Sequence, residues 1–164
     1  MTTKEGLELL IRFYQDEELR RRDIDQKASW GFGFSGIAAS LIASGLGRPL
    51  MTSSTPFYVW QAIYVTIYAV GLLSIMLALI FFLKTLGFRS FREPLGEEKS
   101  FRDNLGGDKV SYDELFSSFM TSLLENRVLN DEKADKAQYG FSTLFLGICL
   151  ELTYIFISLV LGVY

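Results

Sequence analysis

The chain has 164 residues, of which 49% are hydrophobic and 21% charged, with 16 Lys and Arg against 19 Asp and Glu for a formal charge of -3. It holds no histidine and one cysteine, Cys149, which excludes the usual His/Cys zinc sites, Ser-His and Cys-His nucleophile pairs and any intramolecular disulfide. No enzyme machinery and no cofactor site is expected. The length would suit one compact domain, but the apolar residues stand in uncharged blocks rather than being spread as a soluble core spreads them.

The first segment, residues 1–28, places Leu7, Leu10, Ile11 and Tyr14 at helical spacing among charges. No proline or glycine interrupts it between Gly6 and Gly31. It is expected to run straight into the first apolar block as one helix of about 40 residues, about 60 Å long. A charged segment of this length ahead of the first apolar run argues against a cleavable signal peptide.

Three uncharged or nearly uncharged blocks follow, each close to or above the roughly 20 residues that cross about 30 Å of hydrocarbon. The first span is expected over about 30–47 and is rich in Gly, Ser and Ala; a buried helix of a soluble protein is the alternative for it. The second, over about 57–83 within a hairpin at 29–88, is the most apolar. The third occupies 139–164, where the only charge is Glu151. The predicted fold is an all-α integral membrane protein with three transmembrane helices, two of them extended into long cytoplasmic helices.

Between the second and third spans, residues 89–138 divide in two. The stretch FREPLGEEKSFRDNLGGDK, with Pro94, Gly96, Gly106 and Gly107, reads as a loop, and no Gly-Lys-Ser/Thr follows the glycine pair to make a phosphate loop. Ser111 and Glu114 then form a capping box, and Val110 can staple onto Leu115. The helix that starts there carries Tyr112, Leu115, Phe116, Phe119, Leu123 and Leu124 as an apolar stripe. Nothing breaks it before the third span, so about 50 residues and about 75 Å are expected. Two such stripes leaving one membrane face need each other or a symmetry mate, which suggests a helical stalk. Helices lying on the membrane surface fit less well, because acidic residues are as frequent as basic ones.

Six Lys and Arg precede the first span, only Arg48 lies between the first and second, and nine lie between Lys84 and Lys136 inclusive. The positive-inside rule then puts the N-terminus in the cytoplasm and Tyr164 outside. The sequence KASWGF at Lys27–Phe32 recurs 109 positions later as KAQYGF at Lys136–Phe141. Both copies sit where a cytoplasmic helix would meet the bilayer: Lys27 and Lys136 can snorkel to headgroups while Trp30 and Tyr139 join the aromatic belt. Gly31 and Gly140 leave room for close packing or a bend. Internal duplication is the other explanation of the repeat.

Glu151 is the sharpest chemical signal, since a charge at mid-bilayer costs about 2.5–3.5 kcal/mol on insertion scales. Its depth, about 18 Å beyond Tyr139, sets it level with Ser40 to Ser44 on the first span and Gln61, Tyr64 and Tyr68 on the second. It is either protonated and hydrogen-bonded there, or it faces water in an ion pathway. Two rows of small residues on the first span, Ser35-Ala39-Ala43-Gly47 and Gly36-Ser40-Ser44, serve helix packing or line a pore.

The stretch DQKASWGFGFSGIAASLIASGL resembles the Pycsar transmembrane effectors, small bacterial antiphage membrane proteins related to SLATT-like nucleotide-signalling effectors. Asp25, Lys27 and Ala28 match the Asp-x-Lys-Ala that opens their first membrane helix, and Lys136 and Tyr139 approximate the Lys-aromatic start of their last span. The resemblance implies a homo-oligomer in the bacterial inner membrane that permeabilises it when a partner nucleotidyltransferase or cyclase makes a nucleotide second messenger or oligonucleotide. Arg20, Arg21, Arg22 and Lys27 are then candidates for phosphate contact, although they also read as a topology signal. No cyclic-nucleotide pocket is recognisable in the sequence. A non-conducting membrane scaffold for a soluble partner is the competing reading, and a proton-coupled transporter using Glu151 a third.

Overall fold

The computed structural model describes residues 3–42, 58–87 and 112–160, and side chains over 5–42, 62–87 and 113–160. The described residues form three helices: α1 (Thr3–Leu41), α2 (Tyr58–Leu86) and α3 (Tyr112–Val160). At 39 and 49 residues, α1 and α3 have the lengths that their unbroken patterns imply. The start of α3 at Tyr112 is where a Ser111 cap would put it, though Ser111 itself lies outside the described residues. Lys84 stands in the last turn of α2, where a cation favours the exposed carbonyls.

The chain divides into two compact units: Met1–Asp25 with Gly87–Ala134, and Gln26–Leu86 with Asp135–Tyr164. In the first unit α1 and α3 run in the same direction. Phe116 packs on Gly6, the Tyr14 and Phe119 rings meet edge to face with centroids 5.8 Å apart, and Asp25 receives the Lys133 ammonium at 2.7 Å. The polar cross-links of this pair join residues 108, 111 and 113 positions apart. These values bracket the 109 positions between the two copies of the repeat.

The buried line of α3 in this unit differs from the expected apolar stripe. Ser122, Asn126 and Asn130 are almost fully buried, whereas Phe116 and Leu124 are exposed. The reason lies on α1, which presents polar partners: Asn130 Nδ2 donates to both the main-chain oxygen and the carboxylate of Glu17, each at 2.9 Å. Such a hydrogen bond fixes the register of a helix pair more sharply than leucine contacts do.

The second unit turns its large apolar side chains outward. Trp30, Phe34, Leu73, Phe145, Phe156 and Leu159 are all exposed, while Ser35, Ser74, Thr85, Glu151 and Ser158 are buried. Only 28% of the most apolar stretch of α2, and of α3, is buried. A soluble core helix would hide most of that surface. Both helices are long and apolar enough to cross a membrane, over Ala62–Leu86 and within Asp113–Val160. Among the described residues α1 has no such stretch; the remainder of the expected first span, 43–47, lies outside them.

Hydroxyl groups in this unit follow the same logic. Ser35, Ser40, Thr66, Ser74, Thr85, Thr153 and Ser158 each donate to the carbonyl four residues earlier, at 2.7–2.9 Å. A hydroxyl satisfied by its own helix needs neither water nor a neighbouring strand or loop, as an apolar surrounding demands.

Candidate functional site

The second unit brings its three helices together at Phe82, and α2 and α3 together at Glu151. The core around Phe82 contains Ala28, Ile42, Ile75, Ala78 and Leu144, all buried. Gly31 of α1 and Gly140 of α3 face the same Phe82 ring. A Cβ added to Gly31 would lie 2.6 Å from Phe82 Cε1, and one added to Gly140 would lie 2.8 Å from that atom. Real Cβ atoms do not approach so closely, so the ring occupies space that only glycine leaves free on both helices.

The repeat is therefore matched in burial as well as in sequence. Ala28 and Ala137 are buried, Gly31 and Gly140 are buried, and Trp30 and Tyr139 are exposed at 63% and 61%. Phe141 also packs edge to face on Phe82, with centroids 5.0 Å apart, and Phe81 lies 6.0 Å from Tyr139. Nothing in the sequence marks Phe82 as the shared partner, since it stands in the uniform run IFFL.

Glu151, on α3, is 6% exposed. Its Oε1 is buried without a hydrogen-bond partner, and it lies against Gly71 of α2, where an added Cβ would come within 2.7 Å of it. One turn away on α3, Gly147 leaves α2 equally close: a Cβ there would stand 3.0 Å from the Gly71 carbonyl oxygen and 2.6 Å from Ile75 Cγ1. On the other side of Glu151, the Tyr154 ring packs against Tyr64 and Tyr68, with centroids 6.5 and 5.4 Å apart. Tyr64 and Tyr154 are buried. Sequence reasoning expected the tyrosines near this depth and missed Gly71 and Gly147. Their signal was available, since Gly71 is the only glycine between Gly47 and Gly87 and Gly147 lies one turn before the carboxyl.

The small-residue rows of α1 part company. Ser35 is buried, and Ala38 and Ala39 pack against the core. Gly36 faces open space, and Ser40 is exposed with its hydroxyl on the Gly36 carbonyl. Ser40 thus lies on the outer face of α1, while the buried Glu151 meets Gly71. Ala43, Ser44 and Gly47, and the side chain of Gln61, lie outside the described residues. Cys149 is exposed.

The candidate phosphate contacts are engaged within the first unit. Arg20 holds Asp131 at 2.6 Å, Arg22 holds Glu18 at 2.6 Å, and Arg21 lies 3.5 Å from Asp25. The hydrogen bond to Asp131 raises the Arg20 pKa above its ordinary value. A phosphate reaching these arginines would have to displace carboxylates. Lys27, by contrast, is exposed. Among the described residues no three acidic, histidine or cysteine side chains converge as a metal site requires.

Among the described residues this arrangement defines a helical protein with two membrane-competent helices, a doubled glycine cradle and one buried carboxyl. No protein family matches the chain, and neither a curated protein nor a solved structure does.

Proposed function

We propose that the chain is a homo-oligomeric effector of the bacterial inner membrane that permeabilises it in response to a nucleotide signal, as the resemblance to Pycsar-type effectors implies. On this reading it crosses the bilayer three times, with its N-terminus and the 89–138 segment in the cytoplasm. The observation that carries the membrane part is the exposure of large apolar side chains over the second unit, with only 28% of the most apolar stretches of α2 and α3 buried while the Glu151 carboxyl lies inside. Lysines and arginines concentrated before the first span and between the second and third support the orientation.

Three helices per copy are too few to enclose a water-filled path, so permeation requires several copies. The outer face of α1, where Gly36 is open and Ser40 exposed, is available for contact or lining between them. Phosphate recognition falls less naturally on Arg20, Arg21 and Arg22, which are paired with carboxylates, than on exposed Lys27.

The experiment is co-expression with a nucleotide cyclase or nucleotidyltransferase while membrane potential is followed by a voltage-sensitive dye. Loss of potential only when both proteins are present, weakened by Ser40→Leu at unchanged membrane abundance, is the expected result. Retained potential and normal growth with both present would overturn it. A non-conducting scaffold would retain potential and recruit a soluble partner instead.

A further inference from the structure

We propose that Glu151 is a proton-binding site within each copy, reached by way of the Tyr64, Tyr68 and Tyr154 cluster and sealed on the Phe82 side. The inference rests on the second unit lying in a bilayer and is independent of whether the assembly leaks. Glu151 Oε1 is buried with no donor to satisfy it, which an apolar environment tolerates poorly unless a ligand completes the group.

Geometry selects the ligand. At Gly147 the backbones of α2 and α3 are so close that not even a methyl group fits, and the carboxyl itself fills the space over Gly71, which leaves no room between the two helices there for a hydrated metal ion. A proton needs no such volume. The titratable side chains packed around this level are Tyr64 and Tyr68 from α2 and Tyr154 from α3, and α1 contributes none between Lys27 and Ile42. The nearest basic residues along the two helices, Lys84 and Lys136, are thirteen and fifteen residues from Gly71 and Glu151, about 20 Å away. Among the described residues no cationic side chain therefore competes with the proton.

The surroundings are one-sided. From Glu151 toward the start of α2 stand the three phenols, each able to donate and accept a proton. From Glu151 toward Phe82 stand Ile75, Ala78 and Leu144, buried and without polar side-chain atoms, and the buried Ser74 hydroxyl on this side is committed to the Val70 carbonyl of its own helix. In the exchange a carboxylate oxygen gains a proton from a phenol or a water beside it. That donor is reprotonated from the aqueous end, so one proton enters and no other bond changes.

The test is infrared spectroscopy of the full chain in phosphatidylcholine vesicles, titrated from about pH 4 to pH 10, a range spanning carboxyl values displaced by burial. The expected result is a protonated-carboxyl C=O band that disappears as pH rises and is absent in Glu151→Gln. Glu151→Asp should keep a titrating band at a shifted frequency, and Tyr154→Phe should slow deuterium exchange of the band by an order of magnitude or more. A band unchanged by Glu151→Gln, or one that does not respond to pH, would overturn the site. Unchanged exchange in Tyr154→Phe would overturn the route. Vesicle leakage plays no part in these readouts, so failure of the permeation reading and failure of this site are separately visible.

Discussion

Replacing Gly31 by alanine should be damaging for a reason that can be isolated. The new Cβ would meet Phe82 Cε1 at 2.6 Å, and Phe82 is fully buried and confined by Gly140 as well. Overpacking of this kind costs about 1–3 kcal/mol, and the enclosed ring argues for the upper end. Helix propensity returns about 1 kcal/mol when Ala replaces Gly, leaving a net loss of about 2 kcal/mol. In a Phe82→Ala background, itself destabilised by about 3–5 kcal/mol, the same Gly31→Ala change should instead stabilise by about 1 kcal/mol. The double-mutant cycle thus carries a coupling of about 3 kcal/mol. Reversible unfolding in mixed micelles, followed by circular dichroism, measures all four corners. Gly33→Ala is the internal control, because nothing lies within 4 Å of a Cβ there. If Gly31→Ala behaves like Gly33→Ala in both backgrounds, the glycine cradle is not what holds α1 to α2.

Other consequences follow from the same contacts. Gly147→Ala should destabilise more than Gly71→Ala, because the first meets backbone atoms of α2 and the second meets the movable end of Glu151; the same unfolding assay ranks them. Asn130→Ala should cost about 1–3 kcal/mol by removing the hydrogen bonds of a buried amide to the half-buried Glu17, whereas Arg20→Ala, at an exposed ion pair, should cost no more than about 1 kcal/mol and less in high salt. Gly140→Leu should leave membrane insertion intact, judged by resistance to carbonate extraction, yet abolish loss of membrane potential in cells.

Much of the helical layout is legible in the sequence, and the contacts are much less so. Uncharged runs bounded by Lys and Arg, and the absence of breakers after Gly6 and after Ser111, define long continuous helices because backbone hydrogen bonds propagate until something interrupts them. The second span was expected from Phe57 to Leu83, and α2 runs from Tyr58 to Leu86. Periodicity identifies a helix face but not the neighbour that covers it. The apolar stripe through Phe116 and Leu124 therefore misplaces the buried line, which follows Ser122, Asn126 and Asn130, the last of them bonded to Glu17. Glu151 was conspicuous as the lone charge in its span, while its contact with Gly71 depends on how α2 and α3 are rotated against each other. The repeat was conspicuous too, but that both its glycines enclose one phenylalanine is a fact of packing.

Permeabilisation itself is tested most directly by ion and dye efflux from liposomes containing the purified oligomer, with and without the product of a nucleotide cyclase. The account predicts little efflux from the protein alone and rapid efflux on adding the nucleotide, suppressed by Ser40→Leu. Intact vesicles under every nucleotide tested, with the protein shown to be inserted and oligomeric, would contradict it.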